Sequence, residues 1–157
     1  MINILHSADF HLGARFHSLP PEKAQARRQE QLGQLEQLAG LCRSQGCQLV
    51  LLSGDLLDRP QGCRSEARAL AGALEAMAVP VFLAPGNHDH LCPGSPYLEM
   101  AWPGNVHIFT RQTLESVSLP ELDCRVWGAG FQSMDCPGLL EGFRAAGDEA
   151  VQLMVLH

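Results

Sequence analysis

The first ninety residues alternate between short apolar runs and longer stretches with helical period. Residues 2–8 (Ile2, Ile4, Leu5, Ala8), 48–53 (Leu49, Val50, Leu51, Leu52) and 79–84 (Val81, Phe82, Leu83, Ala84) have the length and composition of buried strands. Between the first two, Pro20-Pro21-Glu22 marks a helix start, with proline tolerated in the first turn and an acid favourable there. Leu32, Leu35, Leu38, Ala39 and Cys42 then recur on one face, opposite Arg28, Gln34 and Gln37, and Gly46 supplies a stop. After a loop at 60–62, a second amphipathic helix carries Leu70, Ala73, Leu74 and Met77 on one side. Strand, helix, strand, helix, strand implies a parallel sheet with right-handed crossovers.

The pattern weakens after Leu91. Residues 92–96 read as loop, 97–101 as a helical turn and 106–109 as a short strand. Residues 113–119 and 124–127 are expected to pair as a hairpin around Pro120-Glu121. Residues 142–148 read as loop or the end of a short helix, and 151–156 as a last strand. No repeat, low-complexity segment or linker divides the chain, so residues 1–157 are expected to form one domain. A buried-looking strand runs straight into His157, which suggests a fragment cut inside its domain.

With 46% apolar and 18% charged residues, the chain has the makings of a packed core and not of a disordered segment. No apolar run reaches membrane-spanning length and no secretory signal precedes the first strand, so a cytoplasmic location is expected. None of the six cysteines forms a Cys-x-x-Cys pair, which disfavours a structural zinc site and suits reduced apolar fillers. A net charge of −6 counts against a broad nucleic-acid-binding face. It does not exclude a nucleic-acid enzyme, because bound divalent cations bring their own positive charge to a phosphate site.

The candidate chemistry lies where the strands stop. The first runs into Asp9 and His11, and the second into Gly54-Asp55. The third turns at Pro85-Gly86 into Asn87, His88 and Asp89, and the last ends at His157. Ligand sites in open sheets sit outside the carboxyl ends of the strands. Asp-x-His in an extended segment places both side chains on one face. Imidazole with carboxylate and amide oxygens suits manganese, iron or zinc better than calcium. His6 reads as a core or supporting residue, His17, His90 and His107 as loop or surface, and Gly128-Ala129-Gly130 as turn chemistry.

Asp9-Phe10-His11, Gly54-Asp55 and Gly86-Asn87-His88-Asp89 resemble the first three motifs of the calcineurin-like metallophosphoesterases. Residues 6–13, His-Ser-Ala-Asp-Phe-His-Leu-Gly, and 54–59, Gly-Asp-Leu-Leu-Asp-Arg, are similar to the SbcD-like DNA repair exonucleases in particular. The resemblance implies a layered αββα-type sandwich, here its N-terminal βαβαβ half plus part of the second sheet. It implies two divalent ions, manganese with iron or zinc as alternatives. Asp9, His11 and Asp55 would hold one, and Asp55, Asn87 and His157 the other, with Asp55 bridging. It places catalytic His88 over the scissile phosphate with Asp89 orienting it. DNA, a second copy of the chain and a coiled-coil ATPase subunit are the partners it implies. The family's closing Gly-His-x-His motif is absent from these residues, so weak metal binding and little turnover are expected of the chain as it stands.

Two other readings stay open. One is a phosphoesterase of the same core acting on cyclic nucleotides, nucleotides or phosphoproteins, which the acidic balance favours. The other is a non-catalytic binding module that keeps half of the site.

Overall fold

Each of the three apolar runs forms a strand in the computed structural model, which describes residues 1–157. These are β1 (Ile4–Ser7), β2 (Leu49–Ser53) and β3 (Val81–Ala84), joined by α1 (Pro21–Ser44) and α2 (Arg64–Met77). A one-turn helix α3 (Pro96–Glu99) leads to β4 (Val106–Ile108). Then come β5 (Glu115–Leu119), β6 (Cys124–Gly128) and β7 (Val151–Val155). The first sheet has the order β1-β2-β3-β4, all parallel, as the alternating pattern predicts.

Local chemistry explains where α1 begins and ends. Pro21 opens the helix at a position where its missing N–H costs nothing, and Glu22 complements the positive end of the helix dipole. At the far end Gly46 takes φ +59°; its N–H bonds the Arg43 carbonyl at 3.1 Å, while Cys47 N–H bonds the Cys42 carbonyl at 3.0 Å. This is a Schellman closure, with glycine at the left-handed position.

Strand β2 is apolar at every position from Leu49 to Leu52 because both faces of the first sheet are covered. On one face Val50, Leu52, Val81 and Leu83 pack under Leu35, Ala39 and Cys42 of α1 and Leu70, Leu74 and Met77 of α2. On the other, Leu49, Leu51, Phe82 and Ala84 meet Phe109, Leu119, Val126 and Val155. Helices, sheet and second sheet are therefore stacked in layers, which is the α/β arrangement the sequence reading expects.

The second sheet departs from the sequence reading in one way. Its order is β5-β6-β7; the hairpin is antiparallel, with Glu115 opposite Gly128, but β7 pairs parallel with β6, from Cys124↔Val151 to Gly128↔Val155. The last strand thus belongs to the other sheet and is not a neighbour of β1 to β3. It still reaches the same end of the molecule, because the sheets pack face to face and Val155 is wholly buried between them.

Two histidines and two glycines refine the sequence reading. His107 is not a loop residue: it lies in β4 with its ring 5.5 Å from Phe82 and 4.8 Å from Phe109. Burial lowers its pKa, because this apolar setting disfavours the charged imidazolium. His6 is exposed and meets Ser53 Oγ at 3.0 Å, at the end of the neighbouring strand. Gly128 and Gly130 do more than turn the chain, since a side chain on either would run into Phe109. No helix is long and apolar enough to cross a membrane.

Candidate metal centre

The loops after β1 and β2 are laced together before any side chain is considered. Asp9 N–H bonds the Gly54 carbonyl at 3.0 Å, His11 N–H the Asp55 carbonyl at 2.9 Å, and Leu12 N–H the Leu56 carbonyl at 2.9 Å; Asp58 N–H returns to the Leu12 carbonyl at 3.0 Å. Leu12, Leu56 and Leu57 anchor this seam in the core at no more than 1% exposure. Gln31 of α1 donates to the Phe10 carbonyl at 2.9 Å and ties the first loop to the helix.

The seam requires unusual backbone. Asp9 (φ +56°), His11 (φ +46°) and Asp55 (φ +52°) all lie in the left-handed region, as does Gly54 (φ +70°). The Asp-x-His segment is therefore not extended, and pleat alternation is not what brings its side chains together. Left-handed residues other than glycine are uncommon and cost energy, and they cluster where the surrounding structure holds a site in place. Here ligand atoms of Asp9, His11 and Asp55 lie within 4.8 Å of one another, with Asp9 exposed, His11 half-buried and Asp55 buried.

Asn87 and His157 adjoin this cluster. His157 Nε2 is 2.8 Å from Asn87 Oδ1 and 3.4 Å from Asp55 Oδ2, and His11 Nε2 is 3.8 Å from that same Asp55 oxygen. Asp55 Oδ1 accepts the His88 N–H at 2.9 Å, so Oδ2 is the oxygen turned toward both imidazoles. His157 Nδ1 faces the Ser53 carbonyl at 3.1 Å. A carbonyl only accepts, so Nδ1 is the nitrogen that donates there, and Nε2 is turned toward the Asn87 and Asp55 oxygens. One imidazole nitrogen and two oxygens converge, a donor set that fits a divalent cation.

Close approach of His157 depends on two glycines. A Cβ on Gly54 would stand 2.6 Å from His157 Cβ, and one on Gly86 would stand 2.8 Å from His157 Cγ and collide with the Asp55 carboxylate. Phe131 packs edge-on against the His157 ring at 5.8 Å between centroids.

Asp89 has a different set of partners from the one the sequence suggests. Its carboxylate makes no hydrogen bond to His88. Oδ1 accepts from Gly86 N–H at 2.7 Å and Asp55 N–H at 3.1 Å; Oδ2 accepts from Leu56 N–H at 2.8 Å, Leu57 N–H at 3.1 Å and Tyr97 Oη at 2.6 Å. Fully buried, it pins the Asp55 loop to the Gly86 turn. Burial, then the adjacent Asp89 charge, pushes the Tyr97 phenol well above its ordinary pKa, so it stays a donor.

His88 is exposed, with its ring 4.9 Å from that of His11 in a T-shaped contact. Its nearest ring partner is the Asp58 carbonyl, 3.4 Å from Nδ1, and the Asp58 carboxylate stands 4.0 Å from His11 Nδ1. Asp58 thus touches both histidines, a role the Gly-Asp-Leu-Leu-Asp-Arg motif contained but hydrophobic pattern could not disclose. Tyr97, eight positions beyond Asp89, left no signal in the sequence. His90 folds back onto the Asn87 carbonyl at 2.9 Å.

The sequence model of the calcineurin-like phosphoesterase family matches residues 2–133, most of the chain and every residue of the cluster except His157. The uncharacterized metallophosphoesterase YhaO of Bacillus subtilis (strain 168) is similar to the chain, 26% identical over 166 aligned residues. The alignment takes in 99% of this chain and 40% of that protein, so the chain spans less than half of its relative's length.

Proposed function

The chain belongs to the calcineurin-like phosphoesterase family, and from that premise we propose that it carries the catalytic core of a metal-dependent phosphodiesterase acting on DNA. The observation that supports this reading most is the convergence of Asp9, His11 and Asp55 within 4.8 Å, with His157 Nε2 set between Asp55 Oδ2 and Asn87 Oδ1. Asp9, His11 and Asp55 would hold one divalent ion. Asp55, Asn87 and His157 would hold a second, with Asp55 common to both and manganese the proposed metal ahead of iron or zinc. Bound ions would supply Lewis acidity toward phosphate oxygens and toward an attacking water.

The chain's own residues do the rest. Asp89 and Tyr97 hold the Asp55 loop from beneath, and the Ser53 carbonyl fixes the His157 tautomer. His88 keeps one ring nitrogen against the Asp58 carbonyl and leaves Nε2 to give a proton to the leaving oxygen. DNA is favoured by the likeness of residues 6–13 and 54–59 to SbcD-like nucleases, and a second copy and a coiled-coil ATPase subunit belong to the same reading. A small phosphoester substrate is the second reading, favoured by the net charge of −6. Assays of the full-length protein with manganese on linear duplex DNA, nicked duplex and cyclic nucleotides separate them. Release of nucleotides from linear duplex is the expected result. Hydrolysis of cyclic nucleotides alone would replace the nuclease reading with the second.

A further inference from the structure

At the end of the sheet opposite the metal centre, α1 closes on two cysteines. Cys42 sits three residues before the helix cap and Cys47 two residues after it, and the 3.0 Å bond from Cys47 N–H to the Cys42 carbonyl folds one back over the other. In such a closure these two positions carry side chains in mutual contact, usually an apolar pair. Here both are thiols. Cys42 is fully buried in the helix-side core, whereas Cys47 is partly exposed. The other cysteines have neighbours of other kinds: Cys63 lies beside Arg59, Cys92 beside Gln61, Cys136 beside the Gln112 carbonyl, and Cys124 in the core between the sheets.

We propose that Cys42 and Cys47 are a redox site that closes to an intramolecular disulfide on exposure to hydrogen peroxide. A disulfide needs Cα atoms about 4.4–6.8 Å apart, and the 3.0 Å bond from Cys47 N–H to the Cys42 carbonyl holds the two backbones to about that separation. Cys47, the accessible thiol, attacks a peroxide oxygen as its thiolate; the O–O bond breaks, one water leaves, and Cys47 becomes a sulfenic acid. Cys42 Sγ then attacks that sulfur, the S–O bond breaks and a second water leaves. The two thiols give up two electrons and two protons, and one peroxide becomes two waters. The spacing of four residues between the cysteines hides the pair from a search for Cys-x-x-Cys.

The bond would staple the end of α1 to the entry of β2, beside Gln48, whose N–H bonds the Asn3 carbonyl at 2.8 Å. It touches none of the metal donors. The test is peroxide treatment of the native protein, alkylation of remaining thiols, and trypsin digestion, which cuts after Arg43 between the two cysteines. The expected result is loss of two of the six alkylatable thiols and a pair of peptides joined through Cys42 and Cys47, two hydrogens lighter than their sum and separated by dithiothreitol. The oxidised protein should also melt at a higher temperature than the reduced one, a shift absent in Cys47→Ser, whose side chain is partly exposed and whose fold circular dichroism would verify. Sulfinic or sulfonic acid at Cys47 with Cys42 still alkylatable would overturn the proposal. So would a link from Cys47 to any other cysteine, or six thiols left unreacted.

Discussion

Asp89 Oδ1 accepts the backbone N–H of Asp55 at 3.1 Å, so one buried carboxylate sets the position of another. Four backbone N–H groups and one phenol depend on Asp89. In Asp89→Asn the volume stays but an amide NH₂ replaces one oxygen and faces N–H donors. A buried donor without a partner costs about 1–3 kcal/mol, so the variant should lose about 2–4 kcal/mol of stability and bind manganese more weakly. Urea unfolding with an unchanged m-value, together with metal calorimetry, measures both. A stability within about 0.5 kcal/mol of the parent would remove the structural role given to this residue.

His88 is exposed and donates no side-chain atom to the ion cluster. His88→Ala in the full-length enzyme should keep metal affinity and lower turnover of bis(p-nitrophenyl) phosphate by roughly 10²–10⁴. The loss should appear in kcat. Parent-level turnover would leave His88 without a catalytic part.

Gly86 leaves no room for a side chain between the Asp55 carboxylate and the His157 ring. Gly86→Ala should displace His157, weaken manganese binding and cost about 1–3 kcal/mol, the range for overpacking a closed site. Gly104→Ala is the control, because nothing lies near a Cβ at that position. Equal metal affinity for the two variants would count against the role of Gly86.

Glu149 gives a pH dependence unrelated to the metal site. Hydrogen bonds from Arg125 and then Ser118 pull its pKa down from 4.5 to about 2. A carboxylate held below its unfolded value adds stability above that value and loses it as pH falls through the folded one. The stability difference between the parent and Glu149→Gln should therefore be constant above about pH 5 and shrink as pH falls from about 4.5 toward 2. Chemical denaturation across that window tests it. A difference that stays flat down to pH 2 would deny the depressed pKa.

The first ninety residues were legible because a parallel sheet buried on both faces writes itself as unbroken apolar runs, and because the helices between show one apolar face. The convergent residues were legible too, since Asp9, His11, Asp55, Asn87 and His157 all follow strand ends. What brings them together was not. Pleat alternation was the wrong reason for the Asp9 and His11 convergence; left-handed backbone and the seam to Gly54, Asp55 and Leu56 are the right one. Asp89 gave no sign that its hydrogen bonds go to loop backbone, because backbone donors have no letter in a sequence. The placement of β7 in the second sheet also depended on long-range pairing with β6, which a five-residue strand does not encode alone.

The hydrogen-bonded seam between residues 9–12 and 54–58, and its leucine anchors, involve no metal ligand atom. Chain entropy is therefore surrendered during folding, and a cation entering the cradle has little left to organise. Chelation should leave the secondary structure standing, and one divalent ion should replace another without any unfolding step.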